Sequence, residues 1–329
     1  MTASGSNSPV RPTSSRKTWW KVVQLILLVA TLAFAAREVA RQWEELTAVA
    51  HDAVLQWGWI TLSSVMVLAV HAMLIQTWRI MLAGWGSDLR FGAAIRIWTI
   101  SNLGKYLPGK VWSIGAMGVL AQREGIPAVS AAGAALLNAL LNLGAGFGVI
   151  AIAGASEMDR VAPWLRTASV IFSVCFLIGV ALLPRLLPPL LLRVSTWRGV
   201  PPPERHLPAR TLWLVSALHA LSWVGYGLAF RVFAEGTSPH VAGAPAMFIA
   251  VYTASYLLGY LVIFAPGGIG VREGAIVWLL LTFGLARQAD ATFLSLASRV
   301  WLTVVEVLPG LIALLVTAVT ARAAERRVS

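Results

Sequence analysis

Charge is what this chain has least of. Asp, Glu, Lys and Arg make up only 12% of its 329 residues, where soluble domains carry about 25%. Cys175 is the sole cysteine, so no internal disulfide can form. No Gly-Lys-Ser/Thr phosphate loop occurs, which excludes ATP-driven pumping by this chain alone. No histidine–carboxylate spacing makes a metal site, and no cofactor is expected. What is abundant is apolar surface: 58% of residues are hydrophobic and the mean hydropathy is +0.75. A soluble fold of this size could not hide so many apolar side chains. The composition therefore excludes a soluble enzyme, a disordered chain and a secreted disulfide scaffold. It leaves an all-α, polytopic helical membrane protein.

The net charge is +12, and lysine occurs only at 17, 21, 105 and 110. In a soluble protein that balance would suggest nucleic acid. Here it fits basic loops beside anionic lipid head groups, so membrane lipids are the expected partners and nucleic acid is not.

A crossing helix needs about 20 mostly apolar residues. Uncharged runs place candidates at 22–36, 53–78, 125–156, 167–184 and 211–230, with a last hydrophobic stretch at about 291–320. The fourth run is expected to close at Pro184-Arg185, and the last to be interrupted by Arg299, Glu306 and Pro309-Gly310. Trp57, Trp59 and Trp78 bracket the second run as an interfacial belt. Counting broken segments, six to eight spans are expected. They form one transmembrane domain over 18–321, its halves at about 18–156 and 162–321. A disordered tail (1–17) precedes it and a basic tail (322–329) follows it. Arg11, Arg16, Lys17 and Lys21 put the N-terminus inside, and Arg322, Arg326 and Arg327 do the same for the C-terminus. The expected location is a bacterial cytoplasmic membrane. The first run also resembles a signal peptide, but the topology closes best with this helix retained.

Two segments are too polar for plain spans and too apolar for loops. In 92–121, Leu107-Pro108-Gly109 is a helix stop between two short arms. In about 245–286, Pro266-Gly267-Gly268 is the break. The first is expected to re-enter from the cytoplasm. The second re-enters from outside, unless 245–264 crosses fully. Each half then reads span, span, hairpin, span, with the second half inverted. That is a three-plus-three inverted-topology repeat, a plan found among secondary transporters. Two echoes accompany it: Leu103-Gly104 before Pro108-Gly109 against Leu258-Gly259 before Pro266-Gly267, and Arg123-Glu124-Gly125 against Arg272-Glu273-Gly274.

The run Asn102-Leu103-Gly104-Lys105-Tyr106-Leu107-Pro108-Gly109-Lys110 resembles the first signature of the lysylphosphatidylglycerol synthase/flippase transmembrane family. Pro266-Gly267-Gly268 with Gly270-Val271-Arg272-Glu273-Gly274 is similar to its second, and Arg299 with Pro309-Gly310 to a final-helix feature. The resemblance covers about 20–320 and departs at Lys110, where many relatives have a small residue. It implies a lipid-flipping module like the one that family joins to a soluble aminoacyl transferase domain. No region of this sequence resembles that domain.

Charges inside a membrane cost about 2.5–3.5 kcal/mol each and usually mark a functional path. Arg299 and Glu306 are seven apart and share a helix face. Either they form an ion pair bridged to a neighbouring helix, or Arg299 holds a lipid phosphate that Glu306 tunes. Lys105 and Lys110 flank the first break, and Arg272 and Glu273 follow the second. Freed backbone donors at Pro108, Gly109, Pro266, Gly267 and Gly268 would add positive potential there. The two lysines have a plainer role open to them, reaching to the cytoplasmic head groups. Tyr252, Tyr256 and Tyr260 form a stripe that is either packing or, with Asn102, the wall of a polar cavity. Asn138, Asn142 and Gly146 share a face suited to helix contacts. His71 and His219 sit mid-span and read as isolated, with a proton relay as the alternative reading. The expected function is transbilayer movement of an anionic phospholipid, glycolipid or polyprenyl-phosphate-linked lipid, without enzymatic activity. A non-catalytic membrane partner of a separate lipid-modifying enzyme and an intramembrane lipid transferase are the alternatives.

Overall fold

The computed structural model describes residues 55–106, 112–154, 163–199, 205–262, 268 and 270–328. The expected tail 1–17, the run 22–36, and Pro108, Gly109, Lys110, Pro266 and Gly267 lie outside the described residues. Those described form an all-helical protein. Its helices are α1 (Trp57–Gly84), α2 (Phe91–Asn102), α3 (Trp112–Gln122), α4 (Ala128–Ala153) and α5 (Pro163–Arg198). They continue with α6 (Ala209–Glu235), α7 (Pro245–Leu261), α8 (Val271–Thr282) and α9 (Gln288–Val328). Helices α1, α4, α5, α6 and α9 are long and apolar enough to cross a membrane, so the protein is a multi-pass membrane protein. The other four form two broken pairs, α2/α3 and α7/α8, with arms of 12, 11, 17 and 12 residues. At 1.5 Å per residue those arms reach roughly 16–26 Å, short of a hydrocarbon core about 30 Å thick.

Helix starts follow local chemistry. Pro163 and Pro245 open α5 and α7, where the missing N–H costs nothing, and Pro127 and Pro208 precede α4 and α6. Arg79 fixes the α1–α2 corner. Its Nε donates to the Leu89 carbonyl (2.7 Å) and its guanidinium lies 5.5 Å from the Phe91 ring centre. Arg96 of α2 pairs with Glu124 just beyond α3, clasping the first broken pair at its base.

One expected helix stop fails, and the expected interruption of the last apolar stretch does not break its helix. α5 runs through Pro184, Pro188 and Pro189 to Arg198. Each proline removes one N–H, while the rest of the backbone keeps its helical course. α9 likewise runs through Arg299, Glu306 and Pro309-Gly310 without a break. Gly310 is a contact point instead. A Cβ there would lie 2.8 Å from the Thr99 carbonyl oxygen and 3.0 Å from Leu103, so the bare backbone lets α2 lie against α9.

The packing is organised around α1 lying along α6. α4 contacts α3, α6 and α7, while α9 contacts α8, α1 and α2. One apolar cluster joins Phe230, Phe248, Leu280 and Trp301, and a second joins Trp78, Met117, Leu141 and Leu212.

Both broken pairs are closed by a glycine before the break. A Cβ on Gly104 would meet the Ser113 backbone nitrogen at 3.1 Å, and one on Gly259 would meet the Gly268 Cα at 3.3 Å. Each glycine thus lets the end of the first arm touch the chain just beyond the break. The α3–α4 and α8–α9 turns also share a form. Ile126 N–H donates to the Ala121 carbonyl (3.1 Å) and Leu285 N–H to the Leu280 carbonyl (2.9 Å). Each follows a glycine of positive φ, Gly125 (80°) and Gly284 (64°), as in a Schellman end. This corrects the second echo. Arg123-Glu124-Gly125 follow α3, whereas Arg272-Glu273-Gly274 open α8, so the two triplets are not counterparts.

Candidate functional site

Where the two broken pairs meet α4, α6 and α9, they enclose a cavity of about 260 Å³. The first pair contributes Trp98, Asn102 and Ser113, and the second Tyr256, Tyr260 and Arg272. α9 contributes Arg299, Thr303 and Glu306. A cavity whose apolar wall carries these few charged and hydrogen-bonding side chains is where ligand chemistry is expected.

The start of α8 builds the charged wall. Gly270 adopts φ 83°, and its N–H donates to Glu273 Oε2 at 2.6 Å, capping the first turn. Ser295 Oγ of α9 donates to the Glu273 carbonyl at 3.0 Å. Arg299 Nη1 of α9 lies 3.3 Å from Glu273 Oε1, an ion pair by distance though not by hydrogen-bond geometry. Arg299 is therefore bridged to a neighbouring helix and also lines the cavity.

Arg272 is 4% exposed. Its guanidinium carbon sits 5.0 Å from the ring centres of both Tyr252 and Tyr256. Desolvated cation–π contacts contribute about 2 kcal/mol each. Together, at about 4 kcal/mol, they offset the insertion cost of an arginine, about 2.5–3.5 kcal/mol. Stacking holds the cation but leaves its donors unsatisfied: Nε and Nη2 make no hydrogen bond among the described residues. Each buried, unpaired donor costs about 1–3 kcal/mol. An anion in the cavity would remove that cost.

The tyrosine stripe divides along its length. Tyr252 is not a cavity wall; it is 1% exposed, lies beneath Arg272, and stacks on Tyr226 at 5.8 Å. Tyr256 lines the cavity and shelves Arg272 at once, and Tyr260 lines its more open edge. Packing and cavity wall are thus both present, four residues apart on one helix face.

The two mid-span histidines are not isolated. His71 of α1 has its Nε2 3.6 Å from Glu306 Oε1, and its ring meets Tyr226 edge-on at 5.9 Å. His219 of α6 joins Asn138 Oδ1 through Nε2 at 2.8 Å, and Asn138 Nδ2 donates to Thr77 Oγ1 at 3.1 Å. This chain ties α1, α4 and α6 together, so Asn138 is both the expected interhelical glue and a cavity residue. The sequence signal for these groups was their polarity within apolar helices; their partners are 61 to 235 positions away and could not be read from spacing.

Among the expected site residues, Asn102, Tyr256, Tyr260, Gly268, Arg272, Arg299 and Glu306 converge on the cavity, and Glu273 reaches it through Arg299. Lys105 lies in the turn Leu103–Tyr106 that ends α2, and its side chain lies outside the described atoms.

Residues 19–310 match the model of the family described as the lysylphosphatidylglycerol synthase TM region. The chain belongs to this family. Both broken pairs and the entire cavity fall inside the matched stretch. Membership gives the protein a membrane-lipid-related role. Among curated proteins, none matches the chain.

Proposed function

We propose that this protein of the lysylphosphatidylglycerol synthase TM-region family is a carrier, not an enzyme, that moves an anionic lipid between leaflets. The observation that carries the reading is Arg272. Its guanidinium lies over the rings of two tyrosines, two of its donors have no hydrogen-bond partner among the described residues, and it shares with Arg299 a cavity that both broken pairs line. A lipid phosphate offers acceptors suited to that fork. The ionised head group is what makes crossing slow, because it loses its hydration in hydrocarbon. A polar path supplies substitute contacts while the acyl tails stay in the bilayer.

Two-sided access is supported by the pairing of elements. α4 lies against α7 as α9 lies against α2; α4 contacts α6 as α9 contacts α1; and α1 and α6 meet each other. Gly104 and Gly259 close their hairpins alike, and the α3–α4 and α8–α9 turns share one form. These correspondences fit an inverted repeat with two re-entrant pairs, one opening to each side. In this reading both termini are cytoplasmic and the membrane is a bacterial cytoplasmic membrane.

Transport of acyl-labelled fluorescent lipids in reconstituted vesicles tests the proposal. Phosphatidylglycerol should cross faster than uncharged glucosyl diacylglycerol, and its rate should change little with chain length. Equal rates for the two head groups would contradict the electrostatic argument. Movement of neither lipid would favour a non-catalytic partner of a lipid-modifying enzyme.

A further inference from the structure

α4 and α6 give the cavity a second polar wall, built from Asn138, Asn142 and His219. Its hydrogen bonds run in one direction only. Thr77 Oγ1 donates to the Leu74 carbonyl at 2.7 Å, which uses its one proton. It must then accept from Asn138 Nδ2, at 3.1 Å. That turns Asn138 Oδ1 toward His219, so His219 Nε2, 2.8 Å away, carries the ring proton. Nδ1 of the neutral ring is left as an acceptor, and it has no hydrogen-bond partner among the described residues. Asn142 lies one turn further along α4. Trp223 Nε1 donates to its backbone carbonyl at 2.8 Å, in room that Gly146 leaves: a Cβ there would lie 3.0 Å from Trp223 Nε1. The Asn142 side-chain Oδ1 has no partner among the described residues. Two acceptors on cavity side chains therefore lack donors, each at the cost of a buried polar atom left unpaired. This wall adjoins the arginine. Trp223 meets the Tyr256 ring edge-on at 5.3 Å, and Tyr256 shelves Arg272.

We propose that Asn142 and His219 accept hydrogen bonds from hydroxyls of the head group whose phosphate Arg272 holds, and so select a lipid with a polyol on its phosphate. The inference rests on the carrier reading above and deepens it. An ionised phosphodiester brings acceptors that satisfy the arginine, but no donor for Nδ1 or Oδ1. A hydroxyl supplies that donor without adding a charge. An ammonium would bring donors as well, but amide and imidazole acceptors offer it no counter-charge for the hydration it gives up. A site that bonds a hydroxyl rejects the analogue lacking it, because the site's own buried groups then stay unpaired.

Isothermal titration of the purified full chain compares dihexanoyl phosphatidylglycerol with dihexanoyl phosphatidylpropanol, which has the same charge and the same carbon skeleton in its head group but no hydroxyls. The glycerol lipid should bind at least about tenfold more tightly. Dihexanoyl phosphatidylethanolamine, with an ammonium in place of the hydroxyls, should also bind more weakly than the glycerol lipid. Asn142→Leu should shrink the preference for glycerol over propanol while leaving binding of the propanol lipid unchanged; a merely structural role would weaken both lipids alike. The wild-type comparison needs no substitution, and it tests the proposal should Asn142→Leu fail to fold. Free glycerol phosphate, titrated in parallel, should bind more weakly than the glycerol lipid. Equal binding of the glycerol and propanol lipids, binding of the ethanolamine lipid as tight as that of the glycerol lipid, or an undiminished preference in Asn142→Leu overturns this inference and leaves the carrier reading intact. Binding of no lipid, or tighter binding of free glycerol phosphate than of the glycerol lipid, overturns both.

Discussion

Arg299 of α9 reaches across to Glu273 in the first turn of α8, 3.3 Å from its carboxylate, and so fastens the last helix to the second helix break. The same carboxylate caps Gly270 at 2.6 Å. One side chain therefore sets both the start of α8 and the position of a cavity arginine.

Replacing Arg299 by Gln should loosen that junction. Breaking a fully buried ion pair costs about 3–5 kcal/mol. This pair is 19% and 15% exposed, so a loss nearer about 2 kcal/mol is expected, after discounting for solvent screening. Arg299→Lys should recover part of it. Melting of the detergent-solubilised variants checks the order wild type, Lys, Gln.

Glycines of the two broken pairs should differ sharply in their tolerance of alanine. Gly259→Ala would press a Cβ to 3.1 Å from Arg272 Cβ and 3.3 Å from Gly268 Cα, and Gly104→Ala would press on Ser113. Both should lower the melting temperature. Gly274 belongs to the same signature run, yet a Cβ there meets nothing within 4 Å. Gly274→Ala in helix α8 should be neutral or stabilise by up to about 1 kcal/mol. Equal damage at Gly259 and Gly274 would contradict the close approach described.

Much of this was legible before the fold was known, because the clues were local. Pro-Gly punctuation marked both breaks, and the expensive arginines pointed to the cavity. Failures came where tertiary contact overrides local preference. Pro184 read as a stop, but its helix continues to Arg198, and Pro309-Gly310, read as an interruption of the last apolar stretch, is the seat of α2. The Arg-Glu-Gly echo misled because a three-residue match carries no register, and one copy ends a helix while the other begins one. The pairing of His71 with Glu306 spans 235 positions and leaves no periodic trace.

The ring beneath Arg272 should matter more than the hydroxyl it carries. Tyr256→Phe keeps the cation–π shelf, and Tyr256→Leu removes it. Loss of one desolvated contact corresponds to about tenfold or more in affinity for an anionic lipid. Titration with short-chain phosphatidylglycerol should show Phe close to wild type and Leu clearly weaker.

Labelling can resolve how the two breaks face the membrane. With Cys175 replaced by serine, single cysteines at 105–110 should react with impermeant reagent from the cytoplasmic side, and those at 266–272 from the outside. The reverse pattern would contradict the inverted repeat.

The central claim is that Arg272 holds the travelling head group. Its most direct test is the rate of fluorescent phosphatidylglycerol movement in vesicles containing Arg272→Gln, a variant matched to wild type for folding by its elution and melting. The account predicts that phosphatidylglycerol transport falls at least about tenfold, as loss of one charged hydrogen-bonding contact implies, toward the rate of the uncharged glucosyl lipid. A folded variant that still moves phosphatidylglycerol at the wild-type rate would contradict it.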